Sequence, residues 1–443
     1  MPKTTVITAI DIGTEKICTL IVGTASDGEG LQVLGISSVP SRGIKKSQII
    51  DLDDTIECIT KSLDGAERMA GFGVTSAYVS LSGSQIGSQN SKGVVAVANP
   101  DGEISPSDVD RVIEAARAIS LPSSREIVHV IPREFQVDGQ DGIKDPVGMS
   151  GIRLEAEAHI ITVSSIALRN LTKCLSEVGI SVSGFVFSGL ASALSTLTET
   201  EKELGVVLLD IGAGSTSMAV FVEGALTYSC VLPIGARHIT QDIALGTHVS
   251  LASAEKIKLY LSNATLEIEG PVGETRDQRR ERMKKEDDID PRAAGIEDAD
   301  RLSRKVILEN IMFPRMREIF EMVGKELEKE KLFALVPAGI VLTGGGAQTA
   351  GIVEVCKRTL SLSTRIGEPS GITGLLDDIE NPTYAGAVGL VLYGRKQGGE
   401  EIRGGRGGSK GSKNSSGSLP SVITSKLGGV AEKLLSLFKS LLP

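Results

Sequence analysis

The sequence predicts an α/β fold made of two similar halves, and three observations lead to that prediction. Residues 5–22 read as two β-branched strands joined by a polar turn that contains Asp11-Ile12-Gly13. Residues 206–222 repeat this pattern around Asp210-Ile211-Gly212, 199 positions further along the chain. A third apolar strand, residues 340–343, ends in three consecutive glycines. The shared turn motif indicates an internal duplication of one structural half.

Length and composition limit the classes of protein to which this chain can belong. A chain of 443 residues exceeds what one hydrophobic core usually supports, so we expect several subdomains. A net charge of -9 argues against nucleic-acid binding, which needs concentrated Lys and Arg. Five scattered cysteines without a C-x-x-C pair indicate a reducing compartment, and the four histidines lack metal-ligand spacing.

The sequence also bears on membrane topology. It contains no run of 18 apolar residues, so we expect no transmembrane helix. Its first residues lead into a strand-like run without a basic segment or a cleavage site, so we expect no signal peptide. Membrane contact is therefore expected only at the surface of the bilayer.

The segment between the two units, residues 84–160, has a pattern of its own. Ser105 and Asp108 enclose a proline in the order of a helix N-cap, a first-turn proline and a first-turn acid. Apolar residues at helical spacing follow, and two extended runs, residues 127–131 and 134–137, come next. We therefore expect a small α+β insert.

Three further segments differ in composition from both halves. Residues 276–288 are almost all charged, which predicts a solvated helix or loop. A helical pattern covers residues 302–332, where Pro314 is expected to kink or divide the helix. Residues 398–420 are rich in Gly and Ser, which predicts a flexible linker with a reach of roughly 25 Å.

The two Asp-Ile-Gly turns offer the groups that a bound nucleotide triphosphate needs. Glycines let backbone N–H groups approach phosphate oxygens, while hydroxyls and one lysine add further donors. Asp11 and Asp210 are expected to face each other across a cleft and to position Mg²⁺, through water, and the attacking water. The expected phosphate-binding residues are Gly13, Thr14, Lys16, Gly212, Gly214, Ser215 and Thr216. A single turn of this kind is equally typical of an ordinary strand end.

The three consecutive glycines predict a third contact with the same ligand. Glycines after a strand suit a flat ligand or a phosphate pressed against bare backbone, so Gly344, Gly345 and Gly346 are assigned to cofactor binding. A loose turn is the ordinary alternative. Three glycine-bearing turns after apolar strands in one chain favour a nucleotide site, with ATP and Mg²⁺ as the expected cofactors.

These motifs carry a resemblance. VITAIDIGTEK, GVVLLDIGAGST and GIVLTGGGA resemble, in that order, the phosphate-1, phosphate-2 and adenosine motifs of the actin, Hsp70 and sugar-kinase superfamily. REIVHVIPREFQVDGQDGIKDPVGMSGIRLEAEAHIIT (125–162), PIGARHITQDIA (233–244) and the Gly-rich tether with its terminal helix resemble the family of the bacterial cell-division protein FtsA, which tethers the FtsZ ring to the membrane. The resemblance covers nearly the whole chain.

The resemblance implies an actin-like duplicated ATPase fold in which an inserted α+β subdomain, 1C, replaces the usual actin subdomain. The charged stretch 276–300 departs from the family pattern, and Ala213 and Ala236 replace glycines that are common in relatives. The implied domains are 1–83 (subdomain 1A, first part), 84–160 (1C), 161–197 (1A, continued), 198–236 (2A), 237–335 (2B), 336–397 (2A and return to 1A), 398–420 (linker) and 421–443 (amphipathic membrane-targeting helix).

The resemblance also implies contacts outside the turns. Glu255 and Lys258 would lie beside the adenine and ribose, whereas a plain i,i+3 pair on a surface helix is the ordinary alternative. Arg301, Arg315 and Glu318 would contact the C-terminal tail of FtsZ, although exposed helix charges are usually solvated. Further implied partners are other copies of the chain, in dimers or filaments, and other division proteins.

Residues 421–443 carry an apolar stripe at three- and four-residue steps, and lysines lie off that stripe. Such a helix is too polar to span a bilayer but suits the interface of an anionic membrane. The residues expected to contact lipid are Leu427, Val430, Leu434, Leu435, Phe438 and Leu441. Packing on the protein's own core is the alternative, and a Gly/Ser tether disfavours it.

Together these features predict an ATP-binding, polymerising adaptor that anchors the FtsZ ring at the cytoplasmic side of the membrane, at the division site. Asp11 and Asp210 are the expected catalytic residues. We expect weak hydrolysis at most, because the sequence shows the Mg²⁺ carboxylates but no further residue that is clearly assigned to orient the attacking water. A small-molecule kinase of the same fold and a pilus-assembly scaffold of the same superfamily are the alternatives.

Overall fold

The computed structural model describes residues 4–24, 30–99, 101–263, 287–289, 291–292, 295–296, 302–374, 377–398 and 400–402. The strands of this part are β1 (Thr4–Ile12), β2 (Lys16–Thr24), β3 (Leu31–Pro40), β4 (Ile44–Lys45), β5 (Gln48–Ile49), β6 (Ser76–Leu81), β7 (Gly87–Ala96), β8 (Arg125–Val137), β9 (Gln140–Ile143), β10 (Arg153–Ser164), β11 (Ser181–Phe187), β12 (Val206–Ile211), β13 (Thr216–Val222), β14 (Ala225–Leu232), β15 (Asp288–Ile289), β16 (Leu302–Ser303), β17 (Ile340–Thr343), β18 (Thr364–Ile366) and β19 (Glu400–Ile402). Its α-helices are α1 (Leu52–Ala70), α2 (Pro106–Arg117), α3 (Ser165–Glu177), α4 (Ser188–Thr196), α5 (Glu199–Leu204), α6 (Ala236–Thr247), α7 (Leu251–Asn263), α8 (Phe313–Lys329), α9 (Ile352–Leu360) and α10 (Ala385–Gln397).

The first half is built on a sheet of strand order β11-β6-β1-β2-β3. β1 and β2 form the hairpin that the sequence predicts, with Ile12 opposite Ile17. β6 pairs with β1 in parallel, and β11 pairs in parallel with β6. α1 packs against β2 and β3, while α10 packs against β1. Helices on the sheet explain why β2 is buried along most of its length rather than at alternate positions.

The second half repeats this plan in a sheet of strand order β14-β13-β12-β17-β18. β12 and β13 form an antiparallel hairpin in which Ile211 lies opposite Thr216. β17 runs parallel to β12 and places Thr343 opposite Asp210. Each half therefore has an antiparallel hairpin with a parallel strand beside its first strand, which confirms the duplicated α/β fold.

The insert is a separate sheet of strand order β7-β10-β8-β9, covered by α2. The N-cap signal is confirmed, since α2 begins at Pro106 and the Ser105 N–H donates to Asp108 Oδ2 at 2.9 Å. A core of its own forms between the helix and the sheet, with Val112 and Leu154 fully buried. The predicted α+β insert is therefore part of the fold.

Polar side chains join the insert to the second half. The Ser88 hydroxyl donates to the Ser229 carbonyl at 2.6 Å, and His159 Nε2 lies 2.8 Å from Ser229 Oγ. On its other side, His159 Nδ1 lies 2.7 Å from Asn90 Oδ1. Burial lowers the pKa of His159 to about 3, so the imidazole is neutral at physiological pH. The insert is thus fastened to β14 by neutral hydrogen bonds.

The helix predicted at residues 302–332 begins later than expected, and its first part has π-helical winding. Leu302–Ser303 pairs with Asp288–Ile289 as a two-residue strand, and Val306–Met312 forms a π-helical segment. α8 begins at Phe313, with Pro314 in its first turn. The Phe313 N–H donates to the Leu308 carbonyl, so the chain stays helical from the π-helical segment into α8, and Pro314 lies where the winding changes rather than at a break.

The flexible linker was predicted to begin at residue 398, but the structure still has a β-strand at Glu400–Ile402. Glu400–Ile402 pairs with the start of β1, where Thr4 lies opposite Ile402. β6 pairs only with Ala9 and Ile10 of β1, so the first residues of β1 offer free backbone groups to the returning chain. Residues 403–443, with the rest of the linker and the expected membrane helix, lie outside the described residues, as does 276–286.

Candidate functional site

The first candidate turn follows β1. Its backbone is closed by the Gly13 N–H, which donates to the Lys16 carbonyl at 3.0 Å. Asp11 lies at the end of β1, just before this turn, and Thr14 lies within it and is buried. The turn therefore gathers a carboxylate, a hydroxyl and an ammonium group within six residues.

The second candidate turn follows β12 and is closed in the same way. The Gly212 N–H donates to the Ser215 carbonyl at 2.9 Å. The Gly212 carbonyl then accepts from the Ala236 N–H at 2.9 Å, which fastens the start of α6 to the turn. Thr216 is fully buried and its hydroxyl donates to the Ile234 carbonyl at 2.8 Å, so this predicted phosphate donor is engaged inside the sheet.

The structure brings the two turns together in one crevice. The Ser47 N–H donates to Thr14 Oγ1 at 2.9 Å, and Ser47 Oγ lies 2.9 Å from Ser215 Oγ. A Cβ on Gly214 would lie 2.7 Å from Thr14 Oγ1, so this approach requires a glycine. We call the space between the two turns the turn crevice.

Asp210, just before the second turn, is held by a hydroxyl group from α4. The Ser192 hydroxyl, on α4, donates to Asp210 Oδ2 at 2.7 Å. Burial raises the pKa of Asp210 to about 6; the Ser192 bond and the Lys16 charge oppose this, and the negative charge of Asp11 adds to it. The two aspartates are therefore close enough to interact electrostatically.

Lys16 provides the positive charge of the crevice. Its Nζ lies 3.7 Å from the centroid of the Tyr384 ring, a cation–π contact. Within the described part of the chain, this buried Nζ has no hydrogen-bond partner. Burial lowers the pKa of Lys16, while the negative charges of Asp11 and Asp210 act to raise it. A buried ammonium group without a hydrogen bond is prepared to meet an anion.

The three-glycine strand end lies against the second turn. Gly344 has φ +82, and a Cβ there would lie 2.3 Å from Asp210 Oδ1 and 2.8 Å from the Ile211 carbonyl. A Cβ on Gly346 would lie 2.4 Å from Ile211 Cγ2. Gly345 is different, because a Cβ there would meet nothing closer than 3.9 Å. Bare backbone at Gly345 is therefore exposed, whereas Gly344 and Gly346 pack against the second turn.

Glu255 and Lys258 form a local cluster between α7 and α6. Lys258 Nζ lies 2.8 Å from Glu255 Oε2 and donates to Thr240 Oγ1 at 3.0 Å. The Thr240 hydroxyl in turn donates to Glu255 Oε2 at 2.6 Å. Lys258 is buried, whereas the Glu255 side chain is 40% exposed. Glu255 therefore keeps accessible acceptor capacity that a ribose hydroxyl needs.

The residues expected to bind a partner are engaged within the chain. Arg315 donates to Asp242 at 2.5 Å and 2.9 Å, a two-bond contact with its carboxylate, and also to Glu318. These pairs are local to α6 and α8. Arg301 and the expected lipid-contacting residues 427–441 lie outside the described residues.

Three crevice residues are absent from the sequence motifs. Ser47 links the two turns, Ser192 donates a hydrogen bond to Asp210, and the Tyr384 ring contacts the Lys16 ammonium group. Ser47 had a weak signal, as part of the polar run 45–48 between Ile44 and Ile49. Ser192 and Tyr384 had none, because their positions follow from packing of distant segments.

Asp11 and Asp210 are the two carboxylates that interact at the turn crevice. The described residues contain no cluster of three or more His, Cys, Asp or Glu side chains that could hold a metal ion. Mg²⁺ commonly uses one or two carboxylates and keeps several waters, with phosphate oxygens completing its shell. Asp11 and Asp210 fit that role.

The fold and its crevice define an actin-like ATPase fold. A PilM–PilN complex of type IV pilus biogenesis has a similar fold, with a TM-score of 0.60 and 16% identity over 88% of this chain and 98% of that one. MreB5 of Spiroplasma citri bound to ADP has a TM-score of 0.50 and 14% identity over 89% of this chain and 98% of that one. These likenesses concern the fold alone.

Sequence comparison gives the family. The model for the SHS2 domain inserted in FtsA matches residues 83–162, and the model for cell division protein FtsA matches residues 207–389. Cell division protein FtsA of Pseudomonas aeruginosa is 38% identical, over 88% of this chain and 89% of that protein. The corresponding protein of Borreliella burgdorferi is 40% identical, over 88% and 91%. The chain belongs to the FtsA family of cell division proteins.

Membership in this family confirms the resemblance given by the motifs. The insert that the family model matches is the sheet β7-β10-β8-β9 with α2. Among the described residues, no helix has the length and apolarity to cross a bilayer.

Proposed function

We propose that this chain is an ATP- and Mg²⁺-binding adaptor of bacterial cell division, which polymerises, anchors the FtsZ ring to the cytoplasmic membrane and helps to recruit other division proteins. Membership in the FtsA family supports the division role. One observation carries the nucleotide part of the proposal: Thr14 of the first turn and Ser215 of the second both contact Ser47.

The turn crevice has donors for a polyphosphate from both halves. Thr14 and Ser215 offer hydroxyls, and backbone N–H groups along both glycine turns add further donors. Lys16 offers a positive charge that has no other hydrogen-bond partner among the described residues. In this arrangement, phosphate oxygens would replace contacts that now join the two turns to each other.

The two aspartates would hold the hydrated Mg²⁺. The negative charge of Asp11 is one of the causes that raise the pKa of Asp210, after burial. A cation between the carboxylates would relieve this repulsion and neutralise phosphate charge as well. Mg²⁺ would supply electrostatic stabilisation of the phosphates, and the protein would fix its position through Asp11 and Asp210.

The nucleoside end would lie on the second half. Gly344 contacts Asp210 and Gly345 is open, so the glycine strand end borders the turn crevice on the side of the second half. Glu255 and Lys258 would lie beside the adenine and ribose, as family resemblance implies. The ADP in the structure of MreB5 of Spiroplasma citri, a fold neighbour, supports a nucleotide ligand for this crevice.

Hydrolysis is expected to be slow. Asp11 and Asp210 are assigned to the metal, and no further side chain of the described crevice is assigned to orient an attacking water. Nucleotide would then act mainly by fixing the relative position of the two halves, which in turn controls association between copies.

The attachment functions are assigned to other parts of the chain. Residues 421–443 would lie in the membrane interface through the apolar stripe from Leu427 to Leu441. The FtsZ tail would bind near Arg315 and Glu318, with Arg301 nearby. Such binding would compete with Asp242 for the Arg315 guanidinium, since that contact exists in the free chain.

Two experiments on the full chain test the proposal. Calorimetric titration with ATP and Mg²⁺ compares the unchanged protein, Asp210→Asn and the control Asp141→Asn, an exposed carboxylate on β9. Sedimentation with anionic liposomes compares the full chain with a truncation after residue 420. We expect nucleotide binding by the unchanged and control proteins, at least about tenfold weaker binding by Asp210→Asn, and pelleting of the full chain alone. Absence of nucleotide binding together with tail-independent pelleting would contradict the proposal.

A further inference from the structure

The short hairpin β4–β5 reaches into the place where the two turns meet. Its strands are joined by Lys46 and Ser47, with Lys45 paired to Gln48. Besides its bonds to the two turns, Ser47 accepts at its carbonyl from Gln85 Nε2 at 3.2 Å. A Cβ on Gly214 would lie 3.0 Å from Lys46 Cα, so the hairpin tip is in close contact with the second turn.

The hairpin tip has an unfavourable backbone conformation. Lys46 has φ 49 and Ser47 has φ 58, in the left-handed region that favours glycine and asparagine. Neither residue is of the type that a two-residue hairpin turn usually selects. Strain of this kind persists where surrounding contacts hold it, and such places are often functional.

Ser47 begins a chain of serine hydroxyls that leads from the turn crevice to α4. Ser215 Oγ lies 3.3 Å from Ser82 Oγ, and Ser82 Oγ lies 3.3 Å from Ser217 Oγ. Ser217 Oγ then lies 2.8 Å from Ser188 Oγ. Each hydroxyl can donate or accept, so the chain can reorient when an anion arrives at its end. The end at the crevice is formed by Ser47.

A cavity of about 270 Å³ lies behind the hairpin tip, lined by Ser47, Ser82, Gln85 and residues of α3. Gln85 Oε1, on its wall, is buried without a hydrogen-bond partner in the described part of the chain. The tip therefore has space to shift into when a ligand enters the crevice, and a free acceptor is present there.

The position of Ser47 along the second turn indicates which part of a nucleotide it meets. Gly344 contacts Asp210 at the start of this turn, and the nucleoside end is assigned there. Ser47 contacts Ser215 at the other end, and Thr14 of the opposite half. A nucleotide that runs along the turn therefore places its last phosphate nearest to Ser47.

We propose that Ser47 is a ligand of the terminal phosphate of the bound nucleotide, and that it makes the crevice prefer ATP over ADP. The proposal rests on the nucleotide-binding function proposed above. Its ordinary alternative is that Ser47 only joins the two halves. A joining contact would affect ATP and ADP equally, whereas a terminal-phosphate ligand affects ATP alone.

The test measures dissociation constants for ATP and for ADP, both with Mg²⁺, by calorimetry on the full chain. Ser47→Ala removes the hydroxyl, and Ser47→Gly removes it while also relieving the unfavourable φ, which protects against a folding failure. The matched control is Ser84→Ala, because the exposed Ser84 accepts from Gln48 of the same hairpin and contacts neither turn in any described hydrogen bond. Thermal unfolding confirms that each variant is folded.

We expect both Ser47 variants to bind ATP about tenfold more weakly, with ADP affinity changed by less than about twofold. Ser84→Ala should change neither. Equal weakening of ATP and ADP, or no change in either, would overturn the assignment of Ser47 and leave the nucleotide function intact. If the unchanged protein binds neither nucleotide, the proposed function itself fails, and the role of Ser47 fails with it.

Discussion

The two glycine turns have the same backbone design but carry different side chains. In each, a glycine N–H closes the turn on a carbonyl three residues later, and an aspartate precedes it by two. The residue that supplies the carbonyl is Lys16 in the first turn and Ser215 in the second. The residue after the glycine is Thr14 in the first turn and Ala213 in the second. Duplication thus preserved the geometry while the chemistry diverged.

This divergence separates two tasks. The first turn supplies the positive charge through Lys16. The Lys16 ammonium group contacts the Tyr384 ring and has no hydrogen-bond partner among the described residues. The second turn supplies a half-buried carboxylate, Asp210, which Ser192 and the Gly344 backbone hold in place. The first turn also carries a carboxylate, Asp11, but the second turn has no cation, so a site in which two carboxylates and a cation meet a magnesium-bound phosphate requires the two halves together.

The largest expected effect concerns the support of the second turn. Gly344→Ala places a Cβ at φ +82 and 2.3 Å from Asp210 Oδ1, so we expect the free energy of unfolding to fall by about 2–4 kcal/mol. Gly345→Ala is the control, since its Cβ would meet nothing closer than 3.9 Å and should cost less than about 1 kcal/mol. Urea unfolding followed by circular dichroism measures both. Equal losses would mean that the close contact with Asp210 is not real.

The next effect compares equivalent positions of the two turns. Lys16→Met removes the cation but keeps the length of the side chain, and should weaken ATP binding by about 2–3 kcal/mol. Ser215→Ala should cost about 1 kcal/mol, because Ser47 and Ser82 remain as nearby hydroxyls. Calorimetric titration at one ionic strength gives both values. A larger loss for Ser215→Ala would reverse the division of tasks described above.

A smaller effect is the pH dependence that Asp210 adds to nucleotide binding. Burial raises its pKa from 3.8 to about 6, and Mg²⁺ binds the ionised carboxylate. Proton and metal therefore compete: affinity should be constant above about pH 7 and fall by up to about tenfold per pH unit below pH 6. Asp210→Asn should remove this step and leave only the titration of the nucleotide itself. The same pH profile in both proteins would contradict the assignment of Asp210.

The smallest expected effect concerns the residue that holds Asp210. Ser192→Ala removes the hydroxyl that donates to Asp210 Oδ2, a bond that opposes the raised pKa. The pKa of Asp210 should rise further, so the loss of Mg²⁺-dependent affinity, about 1 kcal/mol, should be greater at pH 6 than at pH 8. Titrations at both pH values measure it. A loss that is independent of pH would indicate a purely structural role for Ser192.

Much of the fold could be predicted from local patterns. Alternation of strands and polar turns gave both hairpins, and capping residues gave the start of α2, because these signals act between neighbours in sequence. The beginning of the linker was wrong, since pairing of Glu400–Ile402 depends on which part of β1 is left uncovered by β6. No local pattern contains that information.

The turn crevice was predictable only in part, because local sequence signals identify its turns but not the contacts between distant segments. Glycines and aspartates after apolar strands mark the turns themselves. The contacts of Ser47 with Thr14 and Ser215 join residues 33 and 168 positions apart, and Thr216 is turned into the sheet by the register of β13. Sequence spacing reports which residues share a turn, whereas tertiary packing decides which hydroxyls reach the crevice.

The central claim is that Asp11 and Asp210 serve one magnesium-nucleotide site. A double-mutant cycle tests it most directly, with dissociation constants for ATP and Mg²⁺ measured for the unchanged protein, Asp11→Asn, Asp210→Asn and the double variant. Removal of one carboxylate should already lose most of the metal-dependent affinity, so we predict a coupling energy above about 1 kcal/mol. Losses that add to within about 0.5 kcal/mol would show that the two aspartates act in separate places.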